Sequence, residues 1–597
     1  MRFAPRFLPL LAFLLAAAAF HPAARAEGIS VELPTGGYFR SGQVMPVVVA
    51  VETFGNRVEY NITLTPAFGR SGASGAEVIL ESASVPPRTL KRFTLPVLLD
   101  SRTPGLHLSV IDELSMTRDT VFSEDLSPRI RYLAPKERLF LFTGDPSFCS
   151  PLMKLAALPD LVVRPVFVPL DSPLFSRWQF LESVDCVVLA LRPDSPLSGR
   201  ALRSLSEYLE LGGRIVAVSS PAAAASLLGA DSLPPPDDPA VRASSPSALV
   251  LSRGLGLLAS LACPPGDDKQ WVSCWTWTAS NVSFPAAPVS LLPPEPDVRL
   301  FQPVVKSFFS PMDMASSYRR TLLLALLSLF LAFLLAAALL YAFGLSGNGL
   351  AAFSFLAAAA LVLFFLIHAL IPKPGVVWRY RSIIETDGRG SGRMTVFTSL
   401  SATSEKTVTL EEEPSGVTKI LFSREEIFPL NAPRTRSPAA GWRIRGIPVL
   451  PRRPTLLMTV VPLSALRDRI PPFLVPVLSR RASELTIRTG AGFRRRFIQV
   501  QDDSVCLGPQ CVPHDRFSRS REPLPGFDPD EWAFLYIACF RCSRPDVAGT
   551  LYWPLDEPGE MVSSDSIMRI DFRRIGELGA TLLFAPAPAE PNERNEQ

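Results

Sequence analysis

The sequence has little excess charge of either sign. Its 60 lysines and arginines are nearly balanced by 56 aspartates and glutamates, which leaves a formal net charge of +4 over 597 residues. Proteins that bind a phosphate backbone carry a surplus of basic residues along one surface, and no such basic stripe stands out in this sequence. Nucleic acid is therefore not an expected partner.

Histidine is also scarce, with four in the chain and none between His107 and His368. Histidine is the side chain that most often serves as a general base, and a serine nucleophile needs such a base nearby. The long interval without histidine argues against a hydrolytic site there. We expect a protein that binds or scaffolds partners, not an enzyme, and we expect no cofactor.

Long apolar segments, by contrast, are present. Hydrophobic residues make up 47% of the chain, and the mean hydropathy of +0.23 is high for a soluble protein. Residues 1–26 have the parts of a secretory signal: Arg2 and Arg6, an apolar run, and small residues before Glu27. Whether this segment is cleaved or kept as an anchor, it predicts that the residues after it are exported.

Two further runs, Thr321–Phe343 and Leu350–Ile371, contain no Asp, Glu, Lys or Arg. Each is long enough to cross about 30 Å of hydrocarbon as a helix, and only a short turn separates them. They predict a two-helix transmembrane hairpin, with the N- and C-terminal domains on the external side of the membrane. Basic residues beside the runs oppose this orientation, but large domains are translocated largely regardless of charge.

Short β-rich runs separated by Gly, Ser and Pro fill residues 27–130. Regular spacing of this kind is typical of a β-sandwich. Residues 376–584 show similar runs and predict a β-rich C-terminal domain. Residues 266–318 are interpreted as a linker to the membrane, and the polar tail 585–597 as disordered.

Residues 135–265 instead alternate continuous apolar runs with helical stretches, as in a parallel α/β sheet that is buried on both faces. The succession of Val184–Leu191, a helix ending at Gly212-Gly213, and Arg214–Ser220 resembles the class I glutamine amidotransferase-like fold. That family carries a Gly-x-Cys-x-Gly nucleophile elbow after the last of these strands. Here Ser219 and Ser220 occupy the elbow position and the downstream histidine is missing, so the domain is interpreted as degenerate and no catalytic residue is assigned.

The first strand of the same segment ends just before Asp145 and Ser147. Ligands of parallel sheets bind beyond the carboxyl ends of the strands, so these two residues are candidates for a ligand cleft. A structural alternative for Asp145 is capping of the following helix or turn.

Cysteine is the remaining candidate for site chemistry. In an oxidising compartment the four cysteines of the C-terminal domain favour two disulfides, whereas a tetrahedral zinc site is the alternative use of the same sulfurs. Two further cysteines, Cys263 and Cys274, flank a polar loop and form another candidate pair. The disulfide candidates are Cys263, Cys274, Cys506, Cys511, Cys539 and Cys542.

Three tryptophans crowd into one short stretch at Trp271, Trp275 and Trp277. Their spacing is interpreted as one face of a strand. A platform for a sugar or a peptide is one use of such a face, and core packing or contact with the membrane interface is the alternative.

The order of the parts as a whole resembles bacterial envelope membrane proteins of the kind encoded beside MoxR-type ATPases and von Willebrand A-domain membrane proteins. By analogy, this resemblance implies a non-catalytic, membrane-anchored scaffold or sensor. The resemblance also implies that the hairpin lies in the bacterial inner membrane, with the N- and C-terminal domains on the periplasmic side. Its implied partners are the inner membrane and envelope membrane proteins, either of the A-domain type or transporter subunits. Two alternatives are an accessory subunit of an ABC-type export system and a serine-dependent hydrolase that uses Ser219 or Ser220.

Overall fold

The computed structural model describes residues 28–289 apart from short gaps, isolated residues between 327 and 341, and separate segments between 376 and 584. Regular structure in these residues consists mainly of β-strands, and the four α-helices with defined bounds are all short. The helices are α1 (Pro146–Leu155), α2 (Gly199–Glu210), α3 (Pro221–Leu228) and α4 (Asp268–Asn281).

The N-terminal strands form two sheets that pack face to face. Strands β1, β3 and β6 make one sheet, while β5, β4, β7 and β8 belong to the other. Apolar side chains from both sheets, such as Val47 and Tyr60, fill a common core. The strands are β1 (Gly28–Glu32), β2 (Tyr38–Phe39), β3 (Val44–Glu52), β4 (Val58–Ala67), β5 (Val78–Val85), β6 (Leu90–Leu98), β7 (Gly105–Asp112), β8 (Thr120–Asp125) and β9 (Arg131–Tyr132).

A seven-stranded mixed sheet follows, in the order β11-β10-β12-β13-β16-β15-β14. Its first five strands pair in parallel, and β15 and β14 are added by antiparallel pairing, so that β15 alone runs against the other six strands. Helices α1 and α4 cover one face, and α2 and α3 cover the other. The strands are β10 (Glu137–Gly144), β11 (Val162–Phe167), β12 (Cys186–Ala190), β13 (Arg214–Val218), β14 (Val241–Ser245), β15 (Ala248–Arg253) and β16 (Gly256–Leu261).

The C-terminal strands form a ten-stranded sheet and also complete the sheet that starts in the N-terminal region. Strand β21 pairs in parallel with β5, so that Arg434 lies opposite Val78. The strands are β17 (Val376–Thr386), β18 (Gly392–Ala402), β19 (Lys406–Glu411), β20 (Val417–Phe422), β21 (Arg434–Ser437), β22 (Gly441–Val449), β23 (Thr455–Pro462), β24 (Val477–Arg481), β25 (Glu484–Arg488), β26 (Arg496–Val500), β27 (Ser504–Leu507), β28 (Gln510–Pro513), β29 (Thr550–Trp553), β30 (Glu560–Val562), β31 (Ile567–Met568) and β32 (Thr581–Phe584).

A short irregular segment between β11 and β12 joins these three groups of strands. The buried Glu182 carboxylate accepts a hydrogen bond from the backbone N–H of Val44 at 2.9 Å and pairs with Lys419. Three residues later, Asp185 pairs with the fully buried Arg40 at 2.5 Å. Buried ions of this kind are tolerated only when they are paired and hydrogen-bonded. The segment therefore fixes the N-terminal strands and β20 against the mixed sheet.

The predicted multidomain fold class is wrong as stated. The described chain is mostly β-strand, and its mixed sheet is not a clear amidotransferase-like α/β domain, because its helices are few and short and two of its seven strands join by antiparallel pairing. Among the described residues, no helix combines the length and the apolar character needed to cross a membrane. The signal segment 1–26 and the tail 585–597 lie outside the described residues, and so does the apolar run Leu350–Ile371. Of the run Thr321–Phe343, only isolated residues are described.

Candidate functional site at the carboxyl edge of the mixed sheet

The order of the parallel strands creates a divergence between β10 and β12. These neighbours are parallel, but β10 continues through α1 to β11 on one side, whereas β12 continues through α2 to β13 on the other. Chains that leave a sheet in opposite directions open a crevice beyond its carboxyl edge, which is where open parallel sheets bind their ligands. Asp145, directly after β10, lies at this position.

The two strands approach each other closely at the crevice. The backbone N–H of Asp145 donates to the carbonyl oxygen of Ala190 at 2.9 Å. Gly144 has a φ of +126°, and a Cβ built on it would lie 2.1 Å from the same carbonyl oxygen. Only glycine fits at this point. The approach therefore fixes where the Asp145 side chain leaves the sheet.

Asp145 also occupies the capping position of α1. Its carbonyl oxygen accepts from the backbone N–H of Cys149 at 3.0 Å, which is the first bond of the helix. Burial, with a smaller contribution from the Asp145 carboxylate, raises the pKa of Cys149 to about 12. This thiol is therefore inert at neutral pH. Ser147 lies in the first turn of α1, and its side chain is outside the described part of the structure.

Ser219 forms a sharp turn between β13 and α3. Its φ of +57° is a left-handed conformation that non-glycine residues adopt rarely. Its backbone N–H donates to the carbonyl oxygen of Leu261 at 2.9 Å, which attaches the turn to the neighbouring strand β16. A strained serine between a strand and a helix has the backbone form of a nucleophile elbow.

The chemistry of an active elbow requires a base, which is most often a histidine. His107 is the only histidine in the described part of the chain, and it lies on β7 in another sheet, hydrogen-bonded to Ser123 at 3.0 Å. Ser220 caps the start of α3 without a side-chain capping bond and is 1% exposed. The edge thus combines the Ser219 turn with the Asp145 carboxylate, and the one described histidine lies in another sheet.

The cysteines fall into two groups. Cys149, Cys186 and Cys274 are free and buried, and burial raises the pKa of Cys186 well above its ordinary value. The Cys274 sulfur lies 3.5 Å from the Ser247 hydroxyl. Its candidate disulfide partner, Cys263, lies outside the described residues.

The second group comprises the cysteines of the C-terminal domain. The backbones of β27 and β28 place Cys506 and Cys511 directly opposite each other. Cys539 and Cys542 lie outside the described residues, so neither the disulfide prediction nor the zinc alternative is tested. Within the described part of the chain, no three potential metal ligands come together.

The tryptophan stretch lies on helix α4, not on a strand. Trp271 and Trp275 are one helical turn apart, and their rings stack with centroids separated by 5.7 Å. Both are buried, and Trp275 also contacts Phe140 of β10 edge to face at 5.9 Å. The interpretation of these two rings as a binding platform is therefore wrong. Both rings pack in the hydrophobic core beneath β10.

Sequence reasoning located Ser219 and Asp145 correctly at strand ends, because apolar runs followed by helix-forming residues mark where each parallel strand stops. It did not reveal the close approach at Gly144. The arrangement places a carboxylate and a serine turn at the ends of parallel strands, which is the position at which open parallel sheets bind ligands. No family model matches the sequence, and no curated protein is significantly similar to it.

Proposed function

We propose that this chain is a non-catalytic scaffold of a bacterial cell envelope, which presents its surfaces to partner proteins as one unit. The observation that carries the proposal is the buried junction at Glu182, where three groups of strands meet through ion pairs and hydrogen bonds. Independent catalytic domains are commonly joined by flexible linkers and polar interfaces. A scaffold benefits instead from a fixed spatial relation between its binding surfaces.

The chemistry of the strand ends also favours binding over catalysis. Ser219 has the backbone of an elbow but no histidine beside it among the described residues, and the buried Cys149 thiol stays protonated at neutral pH. Serine requires a positioned base before it becomes nucleophilic. Export to the envelope is supported by the signal-like segment at residues 1–26 of the sequence.

Cross-linking in the native membrane tests this proposal. The tagged full-length chain is cross-linked briefly, purified in mild detergent and analysed by mass spectrometry. Specific recovery of A-domain membrane proteins would support the scaffold, and recovery of transporter subunits would identify it as an accessory subunit of an export system. Recovery of no specific envelope protein contradicts the proposal.

A serine-dependent hydrolase is the second candidate, because the left-handed Ser219 is the backbone feature that such enzymes use to expose a nucleophile. A fluorophosphonate probe labels activated serines covalently. Labelling of the native protein that is lost in Ser219→Ala or Ser220→Ala would establish a hydrolase. Ser226→Ala, within α3, is the matched control. Absence of labelling in the folded native protein would exclude this candidate.

A further inference from the structure

The N-terminal pair of sheets presents apolar side chains to solvent at the end opposite the Glu182 junction. Strand β3 begins at Val44, beside Glu182, and runs for nine residues away from it. Beyond the far end of β3, Phe54 is 54% exposed, Leu90 is 56% exposed and Leu114 is 60% exposed. We call this end the apolar tip. Large apolar side chains are usually buried, so their concentration on successive turns calls for an explanation.

The backbone places Phe54 and Leu90 side by side at the tip. Glu52, the last residue of β3, lies directly opposite Leu90, the first residue of β6. The backbone N–H of Thr53 donates to the carbonyl oxygen of Thr89 at 3.0 Å, which joins the turn after β3 to the turn before β6. Phe54 and Leu90 each lie one residue from this hydrogen bond, on opposite turns.

The turn between β7 and β8 reaches the same end. The backbone N–H of Glu113 donates to the carbonyl oxygen of Glu59 at 2.9 Å, near the start of β4, and β4 follows the turn that carries Phe54. The next backbone N–H, of Leu114, donates to the Asp112 carboxylate at 2.9 Å. Val121, at the start of β8, adds a fourth exposed apolar side chain. Three separate turns of one rigid end therefore display apolar residues.

The charged side chains around the apolar tip are mostly paired with one another. Arg57 forms an ion pair with Glu59 at 2.6 Å, and Arg118 lies 3.9 Å from Glu113. Arg88 is exposed at the turn before β6, with a left-handed φ of +51°. Paired surface charges attract a partner weakly. A surface that binds here therefore gains mainly from burial of the apolar side chains, with a basic group available at the rim.

The N-terminal apolar segment joins the fold at this end. Gly28, the first residue of β1, lies opposite Glu52, so the chain enters the sheet beside the Phe54 turn. Only Glu27 separates Gly28 from the signal-like segment 1–26. Such a segment inserts into a lipid bilayer during export. Retained as an anchor, it places the apolar tip within a few residues of the membrane, which favours lipid over a protein as the partner.

We propose that the apolar tip docks on the surface of a phospholipid bilayer. Phe54, Leu90 and Leu114 enter the boundary between headgroups and acyl chains, where aromatic and aliphatic side chains bind peripheral surfaces. Arg88 lies at the level of the lipid phosphates, because a long basic side chain can keep its charge in the headgroup layer. This inference rests on the envelope location in the proposed function, and it adds a lipid contact that fixes the orientation of the N-terminal sheets.

Photo-cross-linking in the native membrane tests the inference with the full-length chain. Benzoylphenylalanine replaces Phe54, Leu90 or Leu114 in turn, in cells whose phospholipids carry a clickable fatty acid. Val162→benzoylphenylalanine is the matched control, because Val162 is 48% exposed but lies on β11 of the mixed sheet. After irradiation, lipid adducts should be several-fold more abundant at each tip position than at Val162. Adducts with a protein instead of lipid, or lipid adducts no more abundant than at Val162, overturn the inference.

Fractionation of the same cells separates this inference from the proposed function. A chain that is absent from the membrane fraction contradicts both the envelope location and the lipid contact. A chain that is present there without lipid adducts at the tip contradicts the lipid contact alone.

A double variant distinguishes docking from mere proximity to the bilayer. Phe54→Ser with Leu114→Ser should reduce the lipid adducts formed at the Leu90 position several-fold. Val272→Ser, which removes an exposed apolar side chain from α4, should leave those adducts unchanged. Both variants should unfold at the temperature of the native protein, because exposed side chains contribute little to stability. Unchanged adducts at Leu90 in the folded double variant would show that these side chains do not hold the tip on the membrane.

Discussion

At the residue scale, the most consequential contacts are between buried charges. Glu182 and Lys419 are each almost fully buried, and among the described residues the carboxylate has one further donor, the backbone N–H of Val44. Burial lowers the pKa of Lys419, and the adjacent Glu182 opposes that shift. Removing one partner from such a pair leaves the other charge buried without compensation, which costs more than the pair itself contributes.

Replacement of Lys419 with Met should therefore destabilise the fold by about 3–5 kcal/mol, measured as the free energy of unfolding in urea. The double variant Glu182→Leu with Lys419→Met should recover part of that loss, because no unpaired charge remains. Arg445→Met breaks a partly exposed pair with Glu81 and should cost less than about 1 kcal/mol. Equal losses in the buried and the exposed variants would contradict this account of the junction.

Glu210 gives a prediction about pH. Its Oε1 atom accepts from the backbone N–H groups of Gly392 and Ser464, at 3.1 Å and 2.9 Å. Burial nevertheless raises the pKa of Glu210 above its ordinary value. The folded state thus binds this proton more tightly than the unfolded state does. Its contribution to stability is present in full below the unfolded pKa and is lost as pH rises through the folded pKa.

Glu210→Gln should remove that loss, because the amide oxygen can still accept both hydrogen bonds and carries no charge. The variant should be more stable than the native protein at pH 7, and the difference should shrink as pH falls towards the ordinary glutamate pKa. Urea unfolding at several pH values provides the measurement. A variant that is less stable than the native protein at pH 7 would show that the charge itself is needed.

At the scale of elements, apolar patterning predicted much of what the structure contains. The segment Arg214–Ser220 was expected to contain a buried strand and contains β13, and the helix expected before Gly212-Gly213 is α2, capped by the Ser198 hydroxyl. The tryptophan stretch was wrongly predicted to be a strand, because its spacing was matched to the two-residue period of a strand and not to the 3.6-residue period of a helix. Trp271 and Trp275 are four residues apart and suit a helix face, whereas Trp275 and Trp277 also suit a strand.

The hairpin of β27 and β28 supports a prediction about disulfide pairing. Cys506 and Cys511 are directly opposed, and only two residues separate the pair Leu507 and Gln510 that ends the ladder. Opposed residues share one face of a sheet, and their Cβ atoms lie within about 5.5 Å, close to the separation a disulfide requires. We expect Cys506 to pair with Cys511, not with Cys539 or Cys542.

Peptide mapping by mass spectrometry without reduction checks this pairing in protein isolated from an oxidising compartment. A disulfide-linked peptide that contains Cys506 and Cys511 is expected, and it should disappear after reduction. Cys511→Ser should leave Cys506 available to a thiol-alkylating reagent, while Cys274→Ser, a change at a buried free thiol, should leave the linkage intact. A linkage of Cys506 to either of the later cysteines would contradict the assignment.

At the scale of the whole molecule, the sequence could not show which distant segments meet. Strands β5 and β21 each have the pattern of an ordinary strand, and nothing local indicates that they are neighbours in one sheet. The same holds for the hydrogen bond from the Trp178 indole to the Ser415 carbonyl oxygen, because long-range pairing depends on the packing of entire sheets. Short apolar periodicity predicts elements well and their partners poorly. The site at the carboxyl edge was easier to predict, since its residues follow consecutive strands.

The shared sheet predicts that the N-terminal and C-terminal segments depend on each other. A truncated chain that ends at residue 290 would lose β21, leaving the edge of β5 unpaired, and would expose the surface that Lys419 and Ser415 cover at Glu182 and Trp178. Unpaired strand edges promote aggregation. The truncated chain should therefore unfold at a lower temperature than the full-length protein and scatter light increasingly with concentration.

Co-expression with a second chain of residues 376–597 should restore a soluble complex, and Lys419→Met in that chain should weaken its recovery. A truncated chain that is as stable and soluble as the whole protein would mean that the two segments are independent domains, and the scaffold would then lack the fixed geometry proposed for it.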